Sequence, residues 1–238
     1  MKKSCVALVA LCCLLAACVA PNTLKLPDFE LPSLAVPDLE LPEVGGHAQL
    51  LAELRVQPDA WAEGYDRDLF GQRWSDDVRV AGGHNGCDTR NDILRRDLNP
   101  AHVRPGTYGC LVEWGTLADP YTGAIIDFER GDGQVEIDHV VPLADAWAKG
   151  ASQWDELTRR DFANDPRNLL AVSAEANRSK SASDAAEWQP PHADFACRYA
   201  QLQVEVKHAY GLAVTPGELA ALTRGLASCL APGDPATL

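Results

Sequence analysis

Three short stretches decide the fold: VEIDHVVP at positions 135–142, NLLAVS at 168–173 and AEANRSK at 174–180. The β-branched residues of the first stretch predict a strand that Pro142 stops, and its apolar alternation breaks near Asp138-His139, where we expect the strand to end or bulge. Residues 168–172 predict a second short strand or extended segment. Ser173 is typical of a helix N-cap, and the pattern predicts a helix from there to about Trp188.

Polar side chains in these stretches have the types that phosphodiester hydrolysis requires. Asp138 and His139 are adjacent at a strand end, and Asn177 and Lys180 are three residues apart, so they share a helix face. Such a reaction needs a base to activate water, a metal to neutralise charge and a cation on the phosphate. A histidine with an ordinary pKa of about 6.5 is mostly neutral near pH 7, so it can act as the base.

The ordered set of these residues resembles the HNH, or ββα-metal, nuclease motif. The similarity is closest to the DUF1524 group of secreted bacterial HNH endonucleases and extends from about Cys87 to Cys229. It includes the turn Asp119-Pro120-Tyr121-Thr122-Gly123, the pair Trp147 and Trp154, and the run Trp188-Gln189-Pro190-Pro191. The resemblance implies an α+β fold with a ββα-metal (HNH) core, surrounding helices and a C-terminal helical hairpin.

The resemblance also implies roles for single residues. His139 corresponds to the general base, Asp138 and Asn177 to the metal ligands, and Asn168 to the residue that braces the histidine loop. Lys180, and Arg178 beside it, correspond to the helix cations near the scissile phosphate. An asparagine at the third HNH position favours Mg²⁺, with Mn²⁺ as the alternative, over zinc. Arg90 is our first candidate for an additional phosphate contact.

The N-terminal region predicts export. Lys2 and Lys3 precede a short apolar run, so residues 1–17 read as a signal peptide, and the ending Leu15-Ala16-Ala17-Cys18 resembles a lipobox with Cys18 as the lipidated residue. Ordinary cleavage near Ala17 or Ala20 is the alternative. Residues 18–46 are Pro-rich and predict an extended tether, and residues 47–238 form the predicted nuclease domain. The predicted location is the cell envelope or the medium.

Four cysteines lie beyond the signal peptide and the lipobox, at Cys87, Cys110, Cys197 and Cys229. An even number in an exported protein favours disulfides. Of the three possible pairings we favour Cys87–Cys110 and Cys197–Cys229. The second follows from a predicted antiparallel helical hairpin, 194–210 and 216–230, that places its two cysteines side by side. A zinc site built on His84, Cys87 and Cys110 is the alternative, but it lacks a fourth ligand.

Several further elements are predicted. A helix is expected from Thr89 to Leu98, strands at 110–114 and 125–128, and helices at 143–149 and 152–162.

The formal net charge of −13 argues against a general nucleic-acid-binding protein, because phosphate binding normally rests on Lys and Arg. The motif residues nevertheless favour a metal-dependent nuclease that acts on nucleic acid, DNA in preference to RNA, and that relies on its metal more than on a basic groove. A catalytically silent HNH-like module that binds a partner at the envelope is the alternative, and a hydrolase of another phosphodiester is a third possibility. No oligomer is implied.

Overall fold

The computed structural model of the chain describes residues 44–59 and 61–230. The predicted signal peptide, the lipidation candidate Cys18 and almost all of the predicted tether lie outside these residues. Within them, no helix combines the length and the apolar composition needed to cross a membrane.

The architecture is α+β, as the sequence predicts. Its helices are α1 (Val44–Glu53), α2 (Thr89–Asp97), α3 (Leu143–Ala148), α4 (Glu156–Asn164), α5 (Ala174–Lys180), α6 (Ala196–Ala209) and α7 (Pro216–Ser228). Its strands are β1 (Leu98–Val103), β2 (Val112–Ala118), β3 (Ile125–Glu129), β4 (Val135–His139) and β5 (Leu169–Ser173). Helix α1 begins three residues before the predicted start of the domain at His47.

The strands form two small antiparallel sheets. One has the order β1-β2-β3, and the other pairs β4 with β5. In the second sheet Asp138 lies opposite Leu170 and His139 opposite Leu169, so the two polar residues occupy the last positions of β4. Helix α5 follows β5 directly and packs against both strands. The chain therefore has two paired strands followed by a helix, with α3 and α4 inserted between the strands.

Buried apolar side chains surround this unit on three sides. One cluster joins α2 to both sheets and includes Leu94, Phe128 and Ile137. A second lies between α1, α6 and α7, and a third packs the segment around Phe70 against Phe162 of α4. Because each face of the β4–β5 pair contacts a packed core, its polar end is held in a fixed position.

Two disulfides brace the domain, and they join the pairs that the sequence favours. Cys87–Cys110 connects the start of α2 to the loop before β2, and Cys197–Cys229 joins the ends of α6 and α7. The zinc alternative at His84, Cys87 and Cys110 is therefore wrong, because both thiols are consumed.

Helix α5 is shorter than predicted. It ends at Lys180 instead of about Trp188, because Ser181 adopts a φ of 53° and breaks the helical backbone. Asp184 then accepts a hydrogen bond from the backbone of Ala186 and pairs with Lys149, so residues that could extend a helix are committed to tertiary contacts. Ser173 is the N-cap, as predicted, and accepts from the Ala176 amide.

Other differences are local. The helix predicted to reach Leu98 ends at Asp97, and the next residues form β1, which the sequence did not predict. The single helix predicted at 152–162 is a short 3-10 turn followed by α4, which starts after its N-cap Asp155. The strand predicted at 110–114 lies at 112–118, because the preceding residues form the loop tied by Cys110.

Candidate active site

A cleft of about 550 Å³ opens at the end of β4. Its floor is the end of that strand, including Asp138 and His139, and one wall is the C-terminal half of α5. The opposite wall comes from the segment before α2 and from the first turn of α2. The side chains that could contact a substrate there are Tyr65, Arg67, Trp74, Arg90, Glu136, Asp138, His139, Asn177 and Arg178.

His139 is only 8% exposed, yet its ring lines this cleft. The Nε2 atom lies 2.8 Å from the carbonyl oxygen of Ala163. Because a carbonyl oxygen only accepts, Nε2 carries the proton of the neutral ring and Nδ1 keeps a lone pair. Burial lowers the pKa of His139 to about 3, so the ring is neutral throughout the ordinary pH range.

Asp138 is held by two buried donors. The Tyr121 hydroxyl donates to Oδ2 over 2.6 Å, and Lys180 Nζ lies 2.9 Å from Oδ2 and 3.1 Å from Oδ1. Lys180 also donates to the backbone carbonyl of His139 over 2.8 Å. Burial raises the pKa of Asp138, although the Lys180 ammonium group opposes that change. Tyr121 and Lys180 are both fully buried, so they fix this carboxylate from beneath the cleft.

Asn168 is also fully buried and lies under the turn that follows β4. Its Oδ1 accepts from the Val141 amide over 2.8 Å, and its Nδ2 donates to the Val141 carbonyl oxygen over 3.2 Å. The Asn168 backbone carbonyl also accepts from Val140. These bonds close the turn directly behind His139, so the side chain supports the site from outside the cleft.

Asn177 and Arg178 reach the cleft from α5. Asn177 Nδ2 donates to Glu136 Oε2 over 2.8 Å, and Arg178 lies 3.3 Å from Glu136 Oε1. The amide of Asn177 is thereby oriented, and its Oδ1 forms no hydrogen bond with the described residues.

The structure brings together five of the residues singled out from the sequence: Asp138, His139, Asn177, Arg178 and Arg90. It places Lys180 and Asn168 beneath the cleft. The expectation that Lys180 lies near the scissile phosphate therefore lacks support from its position, since its ammonium group is engaged by Asp138 and the His139 carbonyl.

Sequence reasoning missed Tyr65, Arg67, Trp74 and the role of Tyr121. Tyr121 had a detectable signal, because a tyrosine within a polar turn needs a partner for its hydroxyl once it is buried. Arg67 and Trp74 lie in or beside irregular backbone, where neither periodicity nor spacing predicts that they approach His139.

The oxygens at the cleft suit a hard divalent cation. Among the described residues, no three His, Cys, Asp or Glu side chains converge as a metal cluster. Two oxygens at the end of β4 and on α5 could serve as ligands: Asp138 Oδ1, which accepts from Lys180 over 3.1 Å, and Asn177 Oδ1, which accepts no hydrogen bond from the described residues. Mg²⁺ commonly uses one or two protein oxygens and keeps waters or substrate phosphate as its other ligands, so this sparse set fits it.

Comparison with known proteins identifies a family for this chain. Residues 88–224, more than half of the chain, match the family described as GmrSD restriction endonucleases, C-terminal domain. A protein of the fungus Arthroderma benhamiae, named as an uncharacterized secreted protein, is 37% identical over 182 residues, which cover 76% of this chain and 83% of the relative. No solved structure matches the chain. The relative's name and the two disulfides are consistent with export.

Proposed function

Because the chain belongs to the family of the C-terminal domain of GmrSD restriction endonucleases, a nuclease-related family, we propose that it is an exported, metal-dependent endonuclease of the HNH type. Its substrate is nucleic acid, DNA in preference to RNA. The observation that carries this proposal is the hydrogen bond of His139 to Ala163, which commits Nε2 to the carbonyl oxygen and leaves the lone pair of Nδ1, on a residue that lines the cleft, to accept a proton.

His139 acts as the general base. Its Nδ1 takes a proton from a water molecule, the water oxygen bonds to phosphorus, and the bond from phosphorus to the 3′ oxygen breaks. The products are a 5′-phosphate and a 3′-hydroxyl once the leaving oxygen is protonated from solvent. A positioned base of this kind contributes roughly 10²–10⁴-fold to the rate.

Asp138 and Asn177 are the protein ligands of a divalent cation, most simply Mg²⁺, with Mn²⁺ as the alternative. When bound, such a cation neutralises charge on the phosphate and on the leaving oxygen. Tyr121 and Lys180 orient Asp138 so that one carboxylate oxygen faces the cleft, and Glu136 orients the Asn177 amide. Both ligands are thus prepared by hydrogen bonds before substrate arrives.

Arginines at the cleft bind the phosphates. Arg178 extends from α5, while Arg67 and Arg90 project from the opposite wall and form no ion pair within the described part of the chain. Guanidinium groups suit phosphate because they present several donors in one plane. The cleft is therefore more cationic than the net charge of −13 suggests. Asn168 and Lys180 support the site as positioning residues.

Our proposal of export includes the processing of the N-terminal region. Cleavage after Ala17 and lipidation of Cys18 would tether the enzyme to a membrane, whereas simple cleavage would release it.

A plasmid-cleavage assay tests the function. We expect the full chain to nick and linearise plasmid DNA with Mg²⁺, EDTA to abolish cleavage, and His139→Ala to lower the rate by at least about 10²-fold. The matched control is His208→Ala, which removes a half-exposed histidine paired with Glu53 and should leave the rate unchanged.

Two outcomes contradict the proposal in different ways. An absence of cleavage with Mg²⁺ or Mn²⁺ would remove the enzymatic function and favour a silent binding module. Full activity in His139→Ala would leave a nuclease but remove its base. Because His139 is buried, thermal unfolding is measured in parallel, and His139→Gln, whose Nε2 can still donate to the Ala163 carbonyl, is tested if the alanine variant is unstable.

A further inference from the structure

A group of three arginines extends from the cleft across the start of α2 and the loop before β2. We call Arg90, Arg104 and Arg130 the cationic ridge. Arg130 Nε donates over 2.6 Å to the Val112 carbonyl oxygen, and its NH2 group contacts the side chain of Asn91, next to Arg90. The backbone amide of Arg104 bonds to Leu111, so all three arginines lie around the same short piece of backbone.

The ridge has more positive charge than its surroundings neutralise. Arg104 pairs with Glu113 over 2.8 Å, and Asp88, whose charge acts on Arg130, uses its oxygens to cap α2 through Asn91. Arg130 is held by neutral acceptors, and Arg90 has no ion pair within the described residues. Burial lowers the pKa of Arg130, and the neighbouring Arg90 and Arg104 add to that effect while Asp88 opposes it, which shows that the three arginines are close enough to interact.

The loop that carries Arg104 also presents an aromatic ring. Tyr108 is fully exposed, with a relative accessibility of 102%, so its ring packs on nothing within the domain. The loop around it is nevertheless anchored, by the Cys87–Cys110 disulfide and by a 2.7 Å bond from Arg95 to the Gly109 carbonyl oxygen. An exposed ring on an anchored loop beside uncompensated arginines combines the two elements that bind single-stranded nucleic acid.

The end of the cleft at Ala144 and Ala182 is acidic. It adjoins a second cleft of about 440 Å³ that is lined by Asp59, Asp184 and Glu187 among others, and by one lysine, Lys149, that pairs with Asp184. A polyanion that occupies the first cleft is repelled at this end and attracted at the ridge. The charge distribution therefore favours a strand that leaves the cleft on the side of the ridge over one that leaves through the acidic end.

We propose that the cationic ridge and Tyr108 form the binding surface for the nucleic-acid strand on one side of the cleaved bond, with the arginines on successive phosphates and Tyr108 stacked on an unpaired base. This inference rests on the proposed function, since it takes nucleic acid as the ligand. It also specifies the substrate class, because stacking on Tyr108 requires a base that is not paired.

Binding is measured on the full chain in EDTA, by fluorescence anisotropy with labelled single-stranded DNA of about 20 nucleotides and of about four, over a series of salt concentrations. We expect Arg104→Gln to weaken binding of the longer strand and to lower the salt dependence of its affinity by about 0.7 log units per log unit of salt. The tetranucleotide, which fills only the cleft, should bind as before.

The matched control for Arg104 is Arg198→Gln. Arg198 is an arginine of α6 with the same exposure of about half and a single glutamate partner, Glu205. If Arg104→Gln and Arg198→Gln bind the longer strand alike, the ridge is not part of the binding surface.

The stacking contact has its own test. We expect Tyr108→Ala to weaken binding of the longer single strand about fivefold or more, Tyr108→Phe to restore it, and duplex DNA to be affected less. Trp61→Ala, which removes an exposed ring at the acidic end, is the control and should have no effect. Equal losses for Tyr108→Ala and Trp61→Ala would overturn the stacking role.

Failure of the ridge and failure of the proposed function give different results. Wild-type protein that cleaves DNA with Mg²⁺ while Arg104→Gln binds normally would leave the nuclease and remove the ridge. Wild-type protein that binds DNA through the ridge but never cleaves would remove the nuclease and leave the surface.

Discussion

Asp138 depends on its two buried donors for both stability and orientation. A carboxylate that is only 5% exposed is tolerated because Tyr121 and Lys180 supply charge and hydrogen bonds to it. Oδ2 accepts from both donors, whereas Oδ1 accepts from Lys180 over 3.1 Å. The contacts that compensate the burial of Asp138 are therefore also the contacts that orient its carboxylate toward the cleft.

Tyr121→Phe tests how much the hydrogen bond from the Tyr121 hydroxyl to Asp138 stabilises the protein. The variant keeps the ring in the core and removes the 2.6 Å bond to Asp138. We expect it to lower the free energy of unfolding by about 1.5–3 kcal/mol, the range for a hydrogen bond to a charged group, as measured by urea denaturation.

Tyr199→Phe is the matched control, because Tyr199 is equally buried and its hydroxyl contacts the neutral side chain of Gln203. It should lower the free energy of unfolding by only about 0.5–1.5 kcal/mol. If both variants lose the same stability, the bond to Asp138 has no special strength.

The end of α5 determines where the helix presents Asn177 and Arg178. Ser181 stops the helix one residue after Lys180 with a φ of 53° and a ψ of −125°, a conformation that glycine adopts and other residues avoid. The helix therefore ends at a residue whose backbone conformation is unfavourable. Ser181 keeps that conformation because the buried Lys180 before it and the ion pair of Asp184 after it fix the chain on both sides.

We expect Ser181→Gly to stabilise the protein by about 1 kcal/mol, measured as a rise in the free energy of unfolding, since strain at one such residue is of that order. Ser181 is exposed, so no packing is lost. Ser181→Ala keeps a Cβ in the same conformation and should bring no gain. A gain of equal size in the alanine variant would show that the serine side chain, not the backbone, is unfavourable.

Elements with local signals were predictable. Thr215 and Pro216 open α7, Ser173 opens α5, and the loss of alternation at Asp138 marks the end of β4. Elements that depend on contacts between residues far apart in the sequence were not predictable. The chain after Lys180 is rich in helix-forming residues, but Asp184 is drawn to Lys149, and strand β1 exists because Leu98–Val103 pairs with β2 in spite of Pro100.

The residues of the candidate site also fall into those that local sequence predicts and those that tertiary packing places. Asp138, His139 and Asn177 stand at spacings along one strand and one helix, so the sequence could group them. The cleft wall that carries Arg67 and Trp74 depends on how the 3-10 helix Arg67–Phe70 packs against α4, which no periodicity in the sequence encodes. The burial of Lys180 also depends on tertiary packing, because its position on the helix alone is compatible with either solvent or core.

On the scale of the whole molecule, a network of buried charges joins the helices. Lys149 contacts Asp145, Asp184 and Glu218 at 2.5–2.7 Å, and Lys207 contacts Asp145 and Glu218 at 2.8 Å. These residues come from α3, α6, α7 and the segments after α3 and α5. The network therefore holds together parts of the chain that are far apart in sequence.

The network predicts how stability depends on pH. Burial alone would raise the pKa of Asp145, but the ammonium groups of Lys207 and Lys149 outweigh it and hold the pKa below the ordinary 3.8. A carboxyl whose pKa is lowered by folding contributes stability above its unfolded pKa, and that stability is lost as the pH falls through the folded pKa.

The pKa of Lys149 is raised above the ordinary 10.5 because Asp145 and Glu218 outweigh its burial, so its contribution is complete below 10.5 and is lost as the pH rises through the folded value. We expect the free energy of unfolding, measured in urea, to fall below about pH 4 and above about pH 10.5.

Asp194→Asn, at a carboxylate that is 94% exposed, is the control and should leave the acid limb unchanged. Asp145→Asn should lower stability at pH 7 and make the acid limb shallower. An acid limb as steep in Asp145→Asn as in the wild type would mean that other carboxylates cause it.

The same network constrains how the family can diverge. A change that removes one of these charges alters the balance between two buried lysines and three carboxylates, whereas replacing partners together by apolar residues is often neutral. Substitutions at Asp145, Lys207 and Glu218 are therefore expected to occur together in evolution. Related sequences are expected to keep these charges as a set or to lose them as a set, so their pattern of joint substitution records contacts between helices that lie far apart along the chain.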